Sequence, residues 1–412
     1  MMNKESTYVI VGASLAGATA AQALREEGLT GRIVLIGEES ERPYERPALS
    51  KGYLLGKDER ARIYVHEEQW YAEHAVELLL GRRAALLDRG AHEVELDTGE
   101  RIGYGKLLLA TGASPRRLRL PGGDLEGVHY LRRVEDSDRL REAIRAGGRI
   151  VVVGAGWIGL EVAAAARESG CEVTVIEPQS APLIAALGSE MGAFFARLHL
   201  RNGVDLQLSH TVTGFRGTGR VTGVLTDDGS EFTADAVVVG IGAIPNIGLA
   251  EQAELSCDNG IVVDESLRTE DPDVYAVGDV ANSYNPFYGE HLRTEHWANA
   301  LHGAPVAAKA MLGQRVAYDA LPYFFTDQYD LGMEFSGWIG RAGYDRLVTR
   351  GDVEGQAFHA FWLADDRVVA GMQVNLWDEG IAPVQELIRS RQLVDPNRLA
   401  DTSVPLASHV MV

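Results

Sequence analysis

Three glycines, Gly154, Gly156 and Gly159, stand at the spacing G-x-G-x-x-G, and an acid, Glu177, follows about 20 residues on. Residues of these types at this spacing do one job well, which is to cradle a dinucleotide. Gly154 permits a tight turn, Gly156 lets backbone approach a pyrophosphate, and Gly159 lets a helix pack closely on a strand. Trp157 and Ile158 complete the turn. A helix opening there offers unpaired N–H groups and a partial positive charge to the phosphates. Glu177 can accept hydrogen bonds from a ribose diol and would repel a 2′-phosphate. No Lys or Arg occurs from Pro178 to Gly188 to receive that phosphate, so the pattern reads as a site for NADH rather than NADPH.

The elements that must position these residues are legible around them. An apolar run at 150–153 predicts a strand, alanine-rich 160–169 a helix ended by Gly170, and 172–177 a second strand with Glu177 at its end. The same design occurs near the N-terminus. A strand at 8–11 leads into Gly12-Ala13-Ser14-Leu15-Ala16-Gly17, a helix at 18–27, a strand at 32–36 and the acid Glu38. Ser14 replaces the middle glycine; it is small and can bond a phosphate, but it leaves the backbone less open. Two such units in one chain predict two dinucleotides, FAD and NAD.

Composition bounds the partners. The 412 residues allow two or three domains. A net charge of -20 disfavours nucleic acid, which requires a basic footprint. The two cysteines, Cys171 and Cys257, lie far apart without C-x-x-C or metal spacing, so no metal site, cluster or redox dithiol is expected. Cys171, at a strand start, reads as a small core residue. A first strand so close to the N-terminus leaves no room for a signal peptide, and no apolar run of about 18 residues occurs, so a soluble cytoplasmic α/β protein is expected.

The stretch Arg42-Pro43-Tyr44-Glu45-Arg46-Pro47-Ala48-Leu49-Ser50-Lys51 reads as a rigid loop with a helix starting near Leu49. It resembles the R-P-Y-x-R-P-P-L-S-K signature of the NADH-dependent ferredoxin reductases that serve aromatic-ring dioxygenases and cytochromes P450, with Ala48 in place of the second proline. Further segments resemble that family in the expected order. They are Ala110-Thr111-Gly112, the V-G-I-G element ending Gly240-Ile241-Gly242, the P-D-x-Y-A-x-G-D element ending Gly278-Asp279, Glu295-His296-Trp297-Ala298-Asn299-Ala300, and 322–329 with Phe325 where relatives often carry tryptophan.

The resemblance implies an α/β fold with two Rossmann-like dinucleotide-binding domains, glutathione-reductase-like, plus a C-terminal α+β domain. The FAD domain would comprise 1–113 and 244–321, the NAD domain 114–243 and the C-terminal domain 322–412. In that last domain, strands are expected at 333–338, 346–350, 357–362 and 368–374, then a helix at 381–390.

The resemblance also implies site residues. Lys51 would lie beside flavin N5 near Glu161, and the two form the catalytic pair. FAD would be held by Gly12, Ser14, Leu15, Ala16, Gly17, Glu38, Arg46, Pro47, Lys51, Ala84, Ala110, Thr111, Gly112, Gly278, Asp279, Glu295, His296 and Trp297. Arg132 reads either as a further FAD ligand or as a surface arginine. NAD would be held by Gly154, Gly156, Trp157, Ile158, Gly159, Glu161, Glu177, Gly240, Ile241 and Gly242, with Phe325 either facing nicotinamide or serving as core. His296 reads as structural, because hydride transfer needs no base.

The implied reaction passes electrons from NADH through FAD to a [2Fe–2S] ferredoxin. The loop 45–51 contains no cysteine, so no sulfur of the protein's own relays them. Alternatives are a rubredoxin or small-molecule (monodehydroascorbate-type) reductase, or a signalling flavoprotein like apoptosis-inducing factor. Arg60, Arg62, Arg293 and Arg315 are candidates for docking an acidic ferredoxin.

Overall fold

A computed structural model describes residues 6–340 and 343–409. The chain divides into two compact units. One comprises Met1–Glu38, His74–Ala110 and Ile247–Val412, the other Glu39–Glu73 and Thr111–Asn246. The division groups 39–73 with the Gly154 turn and the C-terminal region with the Gly12 turn.

The first unit opens with strand β1 (Thr7–Val11), helix α1 (Leu15–Glu26) and strand β2 (Arg32–Ile36). β1 and β2 pair in parallel, Thr7 with Arg32 through Val11 with Ile36. They form the middle of a five-stranded sheet whose order is Val274–Ala276, Lys106–Leu109, β1, β2, Val76–Leu79. Every pairing is parallel. A parallel sheet is covered on both faces, which is why these strands read as continuous apolar runs rather than alternating ones; Val9, Ile10, Ile33, Val34 and Leu35 are fully buried. A small antiparallel sheet of Ala84–Asp88, Glu93–Leu96 and Arg101–Gly103 joins this unit.

In the second unit, strand β3 (Arg149–Val153), helix α2 (Trp157–Glu168) and strand β4 (Glu172–Glu177) repeat the design. The sheet order is Asp205–Leu208, β4, β3, Ala236–Val239, Val128–His129, again all parallel. A three-stranded antiparallel sheet, Val212–Thr218, Arg220–Thr226 and Glu231–Thr233, adds Phe215, Val221 and Val224 to a core shared with Val151, Val153, Ile176, Val237 and Val239. Cys171 is fully buried, as a core residue should be.

Both helices after the glycine turns begin three residues earlier than expected, at Leu15 and Trp157 rather than at 18 and 160. The apolar periodicity starts late because the first helical turn is itself the glycine turn. The helix expected near Leu49 is instead a 3₁₀ turn, Arg46–Ser50. Pro47 suits its start, and the tight turn presents Ser50 and Lys51 from adjacent positions.

The remainder of the first unit contains helix α3 (Trp297–Met311) and a five-stranded antiparallel sheet of β5 (Tyr323–Gln328), β6 (Leu331–Gly337), β7 (Arg346–Asp352), β8 (Ala357–Ala364) and β9 (Arg367–Val374). The order is β5-β6-β9-β8-β7. The aromatic segment carrying Phe325 is thus an edge strand, which the sequence reading did not anticipate. The closing helix Ala382–Ser390 buries Val384, Leu387 and Ile388 against Phe361 and Leu363. Among the described residues, no helix is long and apolar enough to cross a membrane.

Candidate active site

At the first glycine turn, Gly12 has φ +122°, a conformation that favours glycine. A Cβ on Gly17 would lie 2.0 Å from the Gly12 carbonyl oxygen, so the helix can approach the turn only because Gly17 has none. Ser14 is the extended residue preceding α1, and its side chain makes no capping bond; no acid occupies the first helical turn. The first turn of α1 therefore has no side-chain substitute for an anion. Helix Val134–Ala146, by contrast, is closed by a capping box that uses Asp136. An uncapped N-terminus at a glycine turn is what a pyrophosphate requires.

Other expected FAD residues of this unit gather at the same turn. Gly278, at φ +79°, lies so close that its missing Cβ would be 3.4 Å from Ala16 and 3.9 Å from Ala300 of α3. This brings Gly278-Asp279 and α3 beside α1. Gly37 packs on Ala13, where a Cβ would sit 2.6 Å from that side chain, and Glu38 follows it directly. Ala110 donates its N–H to the Val11 carbonyl at 2.7 Å. Ala84 opens the small antiparallel sheet, opposite Leu96.

At the start of α3, His296 is the extended preceding residue and makes no capping bond. His296 Nδ1 and Trp297 Nε1 are buried with no hydrogen-bond partner among the described residues. Orphaned polar atoms at an uncapped helix start match the polar edge of a bound flavin. Burial pushes the His296 imidazole down to about 4, with Asp279 opposing, so the ring is neutral near neutral pH. Phe325 meets Trp297 edge-on at 6.2 Å, and Phe324 lies 4.7 Å from the His296 ring.

In the second unit, Gly154 has φ +99°, and a Cβ there would lie 2.4 Å from the Gly240 carbonyl oxygen. A Cβ on Gly159 would lie 2.2 Å from the Gly154 carbonyl oxygen. The Gly154–Gly159 turn and the element Gly240-Ile241-Gly242 are therefore in contact. Gly156 differs: the nearest atom to its missing Cβ is 3.9 Å away, so its cleared face is open to a ligand. α2, like α1, starts without a side-chain cap or an acid in its first turn. Ile158 is exposed on that turn. Glu177 is tied to it, accepting from Ala155 N–H at 2.7 Å with one oxygen and from Gln179 N–H at 3.0 Å with the other.

Lys51 and Glu161, 110 positions apart in sequence, meet: Nζ donates to Oε1 at 2.6 Å. The pair is nearly buried, with side chains 15% and 5% exposed. The sequence reading missed a third member. Ser50 Oγ donates to Glu161 Oε2 at 2.5 Å. The only signal was its place in the signature, directly before Lys51.

A brace supports this loop. Tyr44 donates to Glu39 at 2.5 Å, and Arg46 donates to Glu39 at 2.8 Å and to the Arg132 carbonyl at 2.5 Å. Burial opposes charge on Glu39, but Arg46 and the Tyr44 hydroxyl outweigh it and hold the carboxyl below its usual range. Gly112, at φ +64°, faces an Arg132 nitrogen 3.2 Å from where its Cβ would be, and Thr111 exchanges hydrogen bonds with Asn246. Arg46, Arg132 and Gly112 are thus brought together, and Arg132 is not merely a solvated surface arginine.

Two docking candidates are engaged elsewhere. Arg293 is 12% exposed and bound to Glu295 at 2.5 Å. Arg60 bridges Glu41 and Asp138. Neither is a free surface cation: Arg60 is paired with two acids distant in sequence, and Arg293 is largely buried beside its neighbour Glu295. Arg62 and Arg315 are exposed.

These features define a reductase with two dinucleotide turns and a buried lysine–glutamate pair. Residues 6–304 match the pyridine nucleotide-disulphide oxidoreductase family, to which the chain belongs, and residues 323–410 match the reductase C-terminal family. The chain is 42% identical over 403 residues to the anthranilate 1,2-dioxygenase system ferredoxin–NAD(+) reductase component of Burkholderia cepacia, covering 97% of this chain and 98% of that protein. It is 38% identical over 411 residues to putidaredoxin reductase CamA of Pseudomonas putida, covering 98% and 97%. The crystal structure of the covalent putidaredoxin reductase–putidaredoxin complex aligns with a TM-score of 0.95 at 37% identity, covering 100% of this chain and 99% of that one.

Proposed function

We propose that this protein is an FAD-dependent NADH:ferredoxin oxidoreductase, passing electrons to a [2Fe–2S] ferredoxin that serves a dioxygenase or a cytochrome P450. The observation that carries the reading is the buried Lys51–Glu161 pair in a chain with two uncapped dinucleotide turns. Likeness over nearly the whole chain to reductase components of dioxygenase systems supports the choice of acceptor.

Within each unit the residues have separable tasks. The turn from Gly12 through Ser14, Leu15, Ala16 and Gly17 receives the FAD pyrophosphate, and Glu38 its ribose. Ala110, Gly278 and Asp279 allow close approach, and Asp279 accepts from a ribityl hydroxyl. Glu295, His296 and Trp297 place the N-terminus of α3 at the flavin's polar edge, where it favours negative charge. In the other unit, Gly154, Gly156, Trp157, Ile158 and Gly159 receive the pyrophosphate of NADH, Glu177 its adenosine ribose, and Gly240 to Gly242 flank it. The resemblance assigns further FAD contacts to Arg46, Pro47, Thr111, Gly112 and Arg132, and an adenine contact to Ala84. Phe325 is the candidate aromatic for a nicotinamide contact. FAD, when bound, accepts a hydride and releases electrons singly. Lys51 and Glu161 supply a fixed charge pair at the reacting centre, and the rest of the chain supplies position.

We place the protein in the cytoplasm and divide it as 1–113 with 244–321 for FAD, 114–243 for NAD and 322–412 for the C-terminal domain. The test is anaerobic addition of NADH to purified protein, followed by cytochrome c reduction with and without ferredoxin. Bleaching of the flavin and ferredoxin-dependent reduction are expected. A yellow colour that persists under NADH removes the proposal.

A further inference from the structure

Glu161 carries its carboxylate on a side chain with several rotatable bonds, and one contact does not fix such a group. A bond from Lys51 to Oε1 alone leaves the carboxylate free to swing about it. The structure gives the other oxygen, Oε2, to Ser50 at 2.5 Å. Ser50 and Glu161 are 6% and 5% exposed, so water does not easily compete for that bond. A hydroxyl has one proton to donate. The other acceptor within reach of Ser50, the Pro47 carbonyl, is 3.5 Å away, so the proton belongs to Glu161. Consecutive residues of one short turn thus grip both oxygens of one carboxylate. The turn is itself held from helix Val134–Ala146, where the buried Ser137 hydroxyl donates to the Leu49 carbonyl at 2.8 Å.

We propose that Ser50 is a positioning residue for hydride transfer: its hydroxyl fixes the Glu161 carboxylate so that the Lys51 ammonium is held in one place. The inference rests on the proposed role of Lys51 and Glu161 at the flavin. Ser50 itself touches no reacting atom; it acts through Glu161. A hydrogen bond to a buried charged group is among the stronger ones.

Purified holoenzymes of Ser50→Ala, Ser50→Thr, Glu161→Gln and Lys51→Ala test this by stopped-flow bleaching with NADH and by flavin midpoint potential. In S50A, the limiting bleaching rate should fall about tenfold with the NADH dissociation constant unchanged. Its midpoint potential should move in the same direction as that of E161Q, and less far. S50T, which keeps the hydroxyl, should restore both. A limiting rate and potential in S50A equal to those of the unaltered protein overturn the inference, provided that K51A or E161Q slows bleaching. Loss of bound flavin or an equal loss of NADH affinity in S50A, or no restoration by threonine, assigns Ser50 a structural role only and also overturns it. If K51A and E161Q bleach normally as well, the proposed reading of the pair fails.

Discussion

Glu177 illustrates how one side chain serves two purposes. Its charge suits a ribose diol, while its oxygens accept the N–H groups of Ala155 and Gln179 and so anchor the turn proposed to receive the phosphates. Glu177→Gln removes the charge and keeps one of the two acceptor oxygens, since an amide nitrogen cannot accept the second N–H. The ratio of kcat/KM for NADPH to that for NADH should rise by about tenfold, about 1.4 kcal/mol. Glu177→Ala also unties the turn and should weaken both coenzymes. At the same scale, Lys51→Ala removes the cation bonded to Glu161 Oε1, and the bleaching rate should fall by about tenfold or more in stopped flow. The two partners of this ion pair could be named from the motif, but Ser50 could not. No spacing rule links it to a helix 111 positions away; only the folded chain shows which oxygen it reaches.

At the scale of elements, the two glycine turns are near copies with different tasks. A Cβ on Gly17 would lie 2.0 Å from the Gly12 oxygen, and one on Gly159 would lie 2.2 Å from the Gly154 oxygen. Backbone must move in either case. Gly17→Ala should therefore purify with most of its flavin lost, read as the ratio of flavin to protein absorbance. Gly159→Ala should retain flavin and bind NADH at least about tenfold more weakly, since closer helix–turn packing is what aligns the phosphate donors. In the antiparallel C-terminal sheet, His359 of β8 is 1% exposed, its Nε2 has no hydrogen-bond partner among the described residues, and burial holds its pKa at about 4, with the Arg350 guanidinium adding to the shift. The unfolded chain takes up that proton near pH 6.5, so stability is full above 6.5 and falls as pH drops from 6.5 toward 4. The loss attributable to this ring is up to about 3 kcal/mol. His359→Phe should flatten the decline in melting temperature between pH 6.5 and 4; an unchanged slope would show that other groups cause it. The strands and helices themselves were largely readable, because buried parallel strands must be apolar throughout. Helix starts were not, because the opening turn of α1 and α2 is part of the glycine pattern and carries no helical apolar stripe of its own. The edge strand β5 was hidden inside an aromatic run that periodicity does not resolve.

For the whole molecule, charge and partner are linked. A chain of net charge -20 repels an acidic ferredoxin at long range, which leaves the exposed Arg62 and Arg315 as candidate local cations for docking. Ferredoxin-dependent cytochrome c reduction should change steeply with ionic strength, while bleaching by NADH stays nearly flat, since its charges are enclosed. Equal salt dependence of the two rates would exclude electrostatic docking as the sensitive step. What the sequence by itself determined was local: glycines where backbone must turn or approach, an acid at a strand end, apolar runs where sheets are covered, and no cysteine in the loop 45–51. Each follows from the covalent chemistry of a few adjacent residues. Only the tertiary structure decided that Ser50 and Lys51 share the Glu161 carboxylate, that Glu177 ties down its own turn, and that Arg60 is already paired with Glu41 and Asp138. Those contacts depend on how distant segments come to rest in space, and residue types and spacing along the chain do not encode the distance between two side chains.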